Sequence, residues 1–114
     1  MITGRTTGQD VTRYFVRLSV PRHGGVRAWR AVSDDFERGL AVQESATVAA
    51  PHVESESRRG RDYVRVVAIA TVSAADVVEA LAIAWQVFRW AAADDTDGWD
   101  MAAAIAEIRP RPAP

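Results

Sequence analysis

A chain of 114 residues that is 48% apolar has length for a single domain and enough apolar surface to bury a core, which excludes disorder along its whole length. It has no cysteine, which excludes a disulfide framework, a thiolate metal site and a cysteine nucleophile. A net charge of −1 and a pI near 6.1 lack the basic excess that a general nucleic-acid binder carries.

Residues 1–10 are polar and small, and a frayed end is expected there, with no apolar leader. From Thr12 to Val20 the residues alternate. Tyr14, Val16, Leu18 and Val20 share one face, and Arg13, Phe15, Arg17 and Ser19 the other, as in a half-buried strand. The run Pro-Arg-His-Gly-Gly is expected to end it. Gly25 to Arg38 reads as a helix, with Val26, Trp29, Val32 or Ser33, and Phe36 as its apolar stripe and Gly39 as its stop. Thr47 to Val53 suits a strand, but Pro51 cannot donate to a ladder, so it belongs on a sheet edge or at a bulge.

Arg58 to Arg61 is expected to turn around Gly60. Asp62 to Val72 then forms the clearest strand, with Val64, Val66, Ala68, Ala70 and Val72 on one face and Tyr63, Arg65, Val67, Ile69 and Thr71 on the other. Ser73 with Asp76 reads as a capping box for a helix running to about Ala92, whose inner stripe is Val77, Leu81, Ala84, Trp85 and Phe88. The longest apolar stretch, Ala80 to Ala93, is broken by Gln86 and Arg89 and is too short to span a bilayer, so a cytoplasmic protein is expected. Asp94 to Asp100 is a loop in which Gly98 supplies a positive φ. Met101 to Arg109 is the last strand. The three prolines that follow leave an exposed tail over 110–114, so one domain occupies 11–109.

Strand, helix, strand, strand, helix, strand is the order of a ferredoxin-like βαββαβ sandwich. It implies an α+β fold in which a four-stranded antiparallel sheet of order 4-1-3-2 carries both helices on one face. Val64, Val66, Ala68 and Ala70 then meet the helices. Phe15, Tyr63, Val67 and Ile69, among Arg13, Arg17 and Arg65, line the other face. That apolar patch is larger than a lone domain needs to expose, so a covering partner is expected.

Four sets of residues are candidate sites. Arg59, Gly60, Tyr63 and Val64 resemble the signature strand of RNA-recognition domains, with Arg61 and Val66 standing where aromatics are expected. With Phe15 on the neighbouring strand, Tyr63 would stack bases. Every basic residue is arginine, and lysine and asparagine are absent, the usage of a GC-rich genome, so an Arg-Gly turn is a common occurrence here. Asp94, Asp95, Asp97 and Asp100 are oxygen donors for a hard cation, but without EF-hand spacing; the plain reading is a solvated turn. His23 and His52 have no ligand spacing and no sequence-adjacent partner. Trp29 and Trp85 suit a core, while Trp90 and Trp99 suit either an interface anchor or packing under the loop.

No cofactor is implied. The leading expectation is a non-enzymatic binding protein that forms a homodimer through its open sheet face, with Arg13, Arg17 or Arg65 meeting carboxylates such as Glu107 of a second copy. A cofactor-free enzyme resembling the dimeric α+β barrels, with Tyr63, Arg65 or His52 in a pocket between two sheets, is one alternative. An RNA or single-strand binder using Phe15 and Tyr63 is the other, and an unidentified protein or small molecule is a further possible partner.

Overall fold

The computed structural model describes residues 11–23, 28–58, 63–92 and 98–111. They form β1 (Thr12–His23), α1 (Trp29–Ala41), β2 (Val48–Arg58), β3 (Tyr63–Ala74), α2 (Val77–Ala91), one 3-10 turn (Met101–Ala103) and β4 (Ile105–Pro110). All strand pairings are antiparallel, and the order across the sheet is β2-β3-β1-β4, the expected order read from the other edge. The end expected over 1–10, the turn at 59–62, Gly25 and Val26, and residues 112–114 lie outside the described residues.

The alternation in β1 and β3 builds the core. Tyr14, Val16, Leu18, Val20, Val64, Val66, Ala68, Ala70 and Val72 are buried on one face. Trp29, Val32, Phe36 and Leu40 of α1 pack there with Ala80, Ala84, Val87 and Phe88 of α2. Each large apolar side chain buried this way contributes about 1.5–3 kcal/mol.

β1 runs three residues beyond its expected end. Pro21 is tolerated because β4 reaches only to Ser19 on that side. There the Pro21 carbonyl accepts from the Asp100 N–H at 2.9 Å, and the His23 N–H donates to the Gly98 carbonyl at 2.9 Å. Gly98 has a φ of 91°, the positive value its turn requires. At the other end, Pro110 closes β4 and the Arg111 N–H bonds the Arg13 carbonyl at 2.7 Å. Strand pairing therefore reaches Pro110 and Arg111, the first two residues of the expected tail, and both are exposed.

Gly39 does not stop α1, which continues to Ala41. A Cβ at Gly39 would lie 2.9 Å from Ala91 Cα, so this glycine lets the two helices touch backbone to backbone. Gly39→Ala is expected to cost about 1–3 kcal/mol as the helices are forced apart, measured by urea unfolding.

α2 is capped by Asp76, not Ser73, which lies in β3. Asp76 Oδ1 accepts from the Glu79 N–H at 2.8 Å, and Glu79 Oε1 accepts from the Ala75 N–H at 2.6 Å. Asp76→Ala should cost about 1 kcal/mol, lowering the thermal midpoint by several degrees in calorimetry. The buried stripe of α2 is Ala80, Ala84, Val87 and Phe88. Val77 is exposed, and Leu81 and Trp85 are only half-buried. The helix is thus rotated from the expected stripe, presenting small residues where α1 comes close.

β2 is the edge strand that Pro51 requires, and it is irregular. Its register with β3 shifts between Ala49 and His52 and again between Val53 and Ser55. Ala50 at the first shift has a φ of 52°. The His52 Nδ1 donates to the Ala50 carbonyl at 2.7 Å, so this histidine is engaged in the bulge. An L-residue in the left-handed region is strained by about 1–2 kcal/mol, so Ala50→Gly is expected to be neutral or slightly stabilising in urea unfolding, after the entropy glycine loses.

Candidate functional site: the open sheet face

No described element covers the second face of the sheet. Its side chains stand in rows set by the register. Arg13 lies beside Ser73. Phe15 lies between Thr71 and Arg109, Arg17 between Ile69 and Glu107, and Ser19 between Val67 and Ile105. Arg65 pairs with Pro21 and Tyr63 with His23. All seven residues expected on this face, Arg13, Phe15, Arg17, Tyr63, Arg65, Val67 and Ile69, therefore share it.

The arginines lie across the sheet. Arg17 Nε donates to Glu54 Oε1 of β2 and Arg17 Nη1 to Glu107 Oε1 of β4, both at 2.9 Å. One guanidinium thus spans from edge to edge, with the Glu54 arm passing over β3 near Ile69 and Val67. The bond to Glu107, then that to Glu54, holds the Arg17 proton more firmly than usual. Glu107, the carboxylate expected to meet an arginine of a second copy, bonds Arg17 of its own chain.

Arg65 Nη1 donates to the Ser19 hydroxyl at 2.8 Å, and Arg111 Nη1 to the Thr71 hydroxyl at 3.2 Å. The Arg109 guanidinium carbon stands 5.5 Å from the centre of the Phe15 ring. Under these side chains Val67 is buried and Phe15 and Ile69 are half-buried, so the apolar patch is smaller than the strand pattern implies. Ile105 is the large exception, at 57% exposed.

The same register separates the two aromatics. Tyr63 lies opposite His23, eight residues along β1 from Phe15, or roughly 26 Å at strand rise. Phe15 and Tyr63 do not form one platform for adjacent bases, and Arg59, Gly60 and Arg61 of the resembling motif lie outside the described residues. Tyr63 instead meets the His23 ring edge-on at 4.8 Å.

His23 has a neighbour that sequence spacing could not show. Its Nε2 is 3.7 Å from Asp100 Oδ2, beyond hydrogen-bond length, in a half-exposed corner at the end of the sheet. Asp94, Asp95 and Asp97 lie outside the described residues. Among the described residues no three acidic or histidine side chains group to hold a metal.

Behind that corner lies a second feature missed from sequence. Arg22 points to the helix side and is 1% exposed. Its guanidinium carbon is 6.0 Å from the Trp29 ring centre and 5.7 Å from that of Trp99. Trp99 also packs against Phe36 and Phe88, at 5.3 and 5.1 Å, so it lies partly buried against the core. Trp90 is 63% exposed. A cavity of about 330 Å³ at the end of α2 is lined by Phe88, Arg89, Ala92, Trp99 and Met101. Among the described residues no helix is long and apolar enough to cross a membrane.

No family model, curated protein or solved structure matches the chain.

Proposed function

We propose that the protein is a small non-enzymatic binding protein of ferredoxin-like architecture, acting in the cytoplasm, whose open sheet face recognises an acidic surface on another protein. The observation that carries this reading is the charge arrangement of the face. Among the described residues, Arg13, Arg17, Arg65, Arg109 and Arg111 stand with Glu54 and Glu107, both of which Arg17 takes, while Asp100 lies apart beside His23 at the end of the sheet. Among the described residues the other four arginines have no carboxylate partner. Three of them rest on hydroxyls or a ring, which leaves guanidinium donors for a partner's anions.

A second copy of the chain fits the same face less well, because a two-fold axis would set five arginines against five. The net charge of −1 and the separation of Phe15 from Tyr63 favour protein over nucleic acid.

Fluorescence anisotropy with a labelled ten-residue polyglutamate peptide at low ionic strength tests the reading. Saturable binding is expected. The Arg13→Glu/Arg65→Glu double variant should weaken it about tenfold, equivalent to about 1.4 kcal/mol. Absence of binding, or binding indifferent to the double variant, contradicts the proposal. Tighter binding of a single-stranded oligonucleotide would replace it with the nucleic-acid reading.

A further inference from the structure

The two edges of the sheet are built differently. β2 carries Pro51, two register shifts and the left-handed Ala50, all of which obstruct the addition of another strand. β4 pairs with β1 without interruption from Ile105 to Pro110. Because the Arg111 N–H bonds the Arg13 carbonyl, alternation of the ladder turns the backbone groups of Ile105, Glu107 and Arg109 toward β1 as well. Those of Ala106, Ile108 and Pro110 point outward to the free edge. Among them only Pro110 lacks an N–H to offer.

We propose that β4 pairs antiparallel with β4 of a second copy about a two-fold axis at Ile108, joining the two sheets into one of eight strands. In this register Ile108 exchanges two hydrogen bonds with its counterpart. The Ala106 N–H of each copy donates to the Pro110 carbonyl of the other, so the N–H that proline lacks removes only the reciprocal bond. Glu107 then stands opposite Arg109 of the second copy, on both sides of the axis. A register centred on Glu107 sets glutamate against glutamate, and one centred on Arg109 sets arginine against arginine. Like charges directly opposite are destabilising, so charge selects the Ile108 register.

The flank of α2 agrees with this edge. α2 packs over β1, β3 and β4, whereas α1 packs against β2 and touches α2 at Ala91. At 100° per residue, Val78, Leu81 and Trp85 fall on the side of α2 turned away from α1, toward the β4 edge. Val78 is 77% exposed, and Leu81, Trp85 and Ile108 are only partly buried. Joining the edges brings these apolar side chains of the two copies toward each other beside the paired strands. It also doubles the length of the open face, without requiring that face to bind anything.

Because the chain has no cysteine, a Glu107→Cys/Arg109→Cys variant carries only two thiols per copy. Non-hydrogen-bonded antiparallel pairs place Cα atoms about 4.5 Å apart, within reach of a disulfide. Under mild oxidation the double variant should run as a covalent dimer on a non-reducing gel, and each single variant as a monomer. The wild type should sediment as a dimer at tens of micromolar. Three results would overturn the pairing: a monomeric wild type, a wild-type dimer whose double variant does not cross-link, or cross-linking by Glu107→Cys alone, which reports the other register. These outcomes report the edge alone, and the peptide test varies Arg13 and Arg65 of β1 and β3, away from β4, so failure of one reading is distinguishable from failure of the other.

Discussion

Phe88→Ala is expected to remove about 3–5 kcal/mol of folding free energy, a large part of what a domain of this size has. Phe88 is 2% exposed at the end of α2. Its ring centre lies 5.1 Å from those of Phe36 and Trp99 and 5.7 Å from that of Trp85. Truncation opens a cavity where α1, α2 and the segment leading to β4 meet, and three aromatic rings cannot collapse into it without leaving their own contacts. Urea unfolding followed by far-UV circular dichroism measures the loss. Phe88→Leu should recover much of it, since it keeps most of the volume. A loss below about 1 kcal/mol for the alanine variant would mean that the end of α2 is not packed as described.

The second large effect is expected at Arg22. Its aliphatic stem is buried, worth about 0.8 kcal/mol per methylene, and its guanidinium lies against two indole rings, worth about 2 kcal/mol where water is excluded. Arg22→Ala is therefore expected to cost about 2–4 kcal/mol in the same unfolding experiment, with a shift in tryptophan emission. Arg22→Met keeps the stem and removes the charge. It should fall between wild type and Arg22→Ala. A methionine variant more stable than wild type would show that burying the guanidinium costs more than its contacts return.

What the sequence makes legible follows from period-two patterns. Valine-rich alternation in β1 and β3 is a local signal, and it placed the buried and open faces and the central pair of strands. The edge position of β2 followed from Pro51, whose missing N–H is a backbone property independent of context. The misses share another cause, dependence on contacts distant in the chain. Gly39 reads as a helix stop by propensity, but it is required by Ala91, fifty-two residues away. Arg22 continues the inward alternation of Tyr14, Val16, Leu18 and Val20, but Pro21 concealed it, because the sequence does not reveal that β4 stops short on that side. Extending the alternation by one step would have found it.

The candidate site divides in the same way. Membership of the open face was readable residue by residue from the pleat. How the arginines lie on it was not. Glu54 reaches Arg17 across an intervening strand from the second bulge of β2, and Arg109 covers Phe15 only because β4 lies beside β1. Those cross-strand contacts turn an apolar patch expected to need a cover into a largely cationic surface.

That surface is the central claim, and chemical-shift mapping tests it most directly. Isotope-labelled protein titrated with the polyglutamate peptide at low salt should show shifts concentrated on Arg13, Phe15, Arg17, Arg65, Ile69 and Arg109, with the outer faces of α1 and α2 unmoved. Shifts centred on the helices, or no shifts at peptide concentrations well above that of the protein, would contradict it.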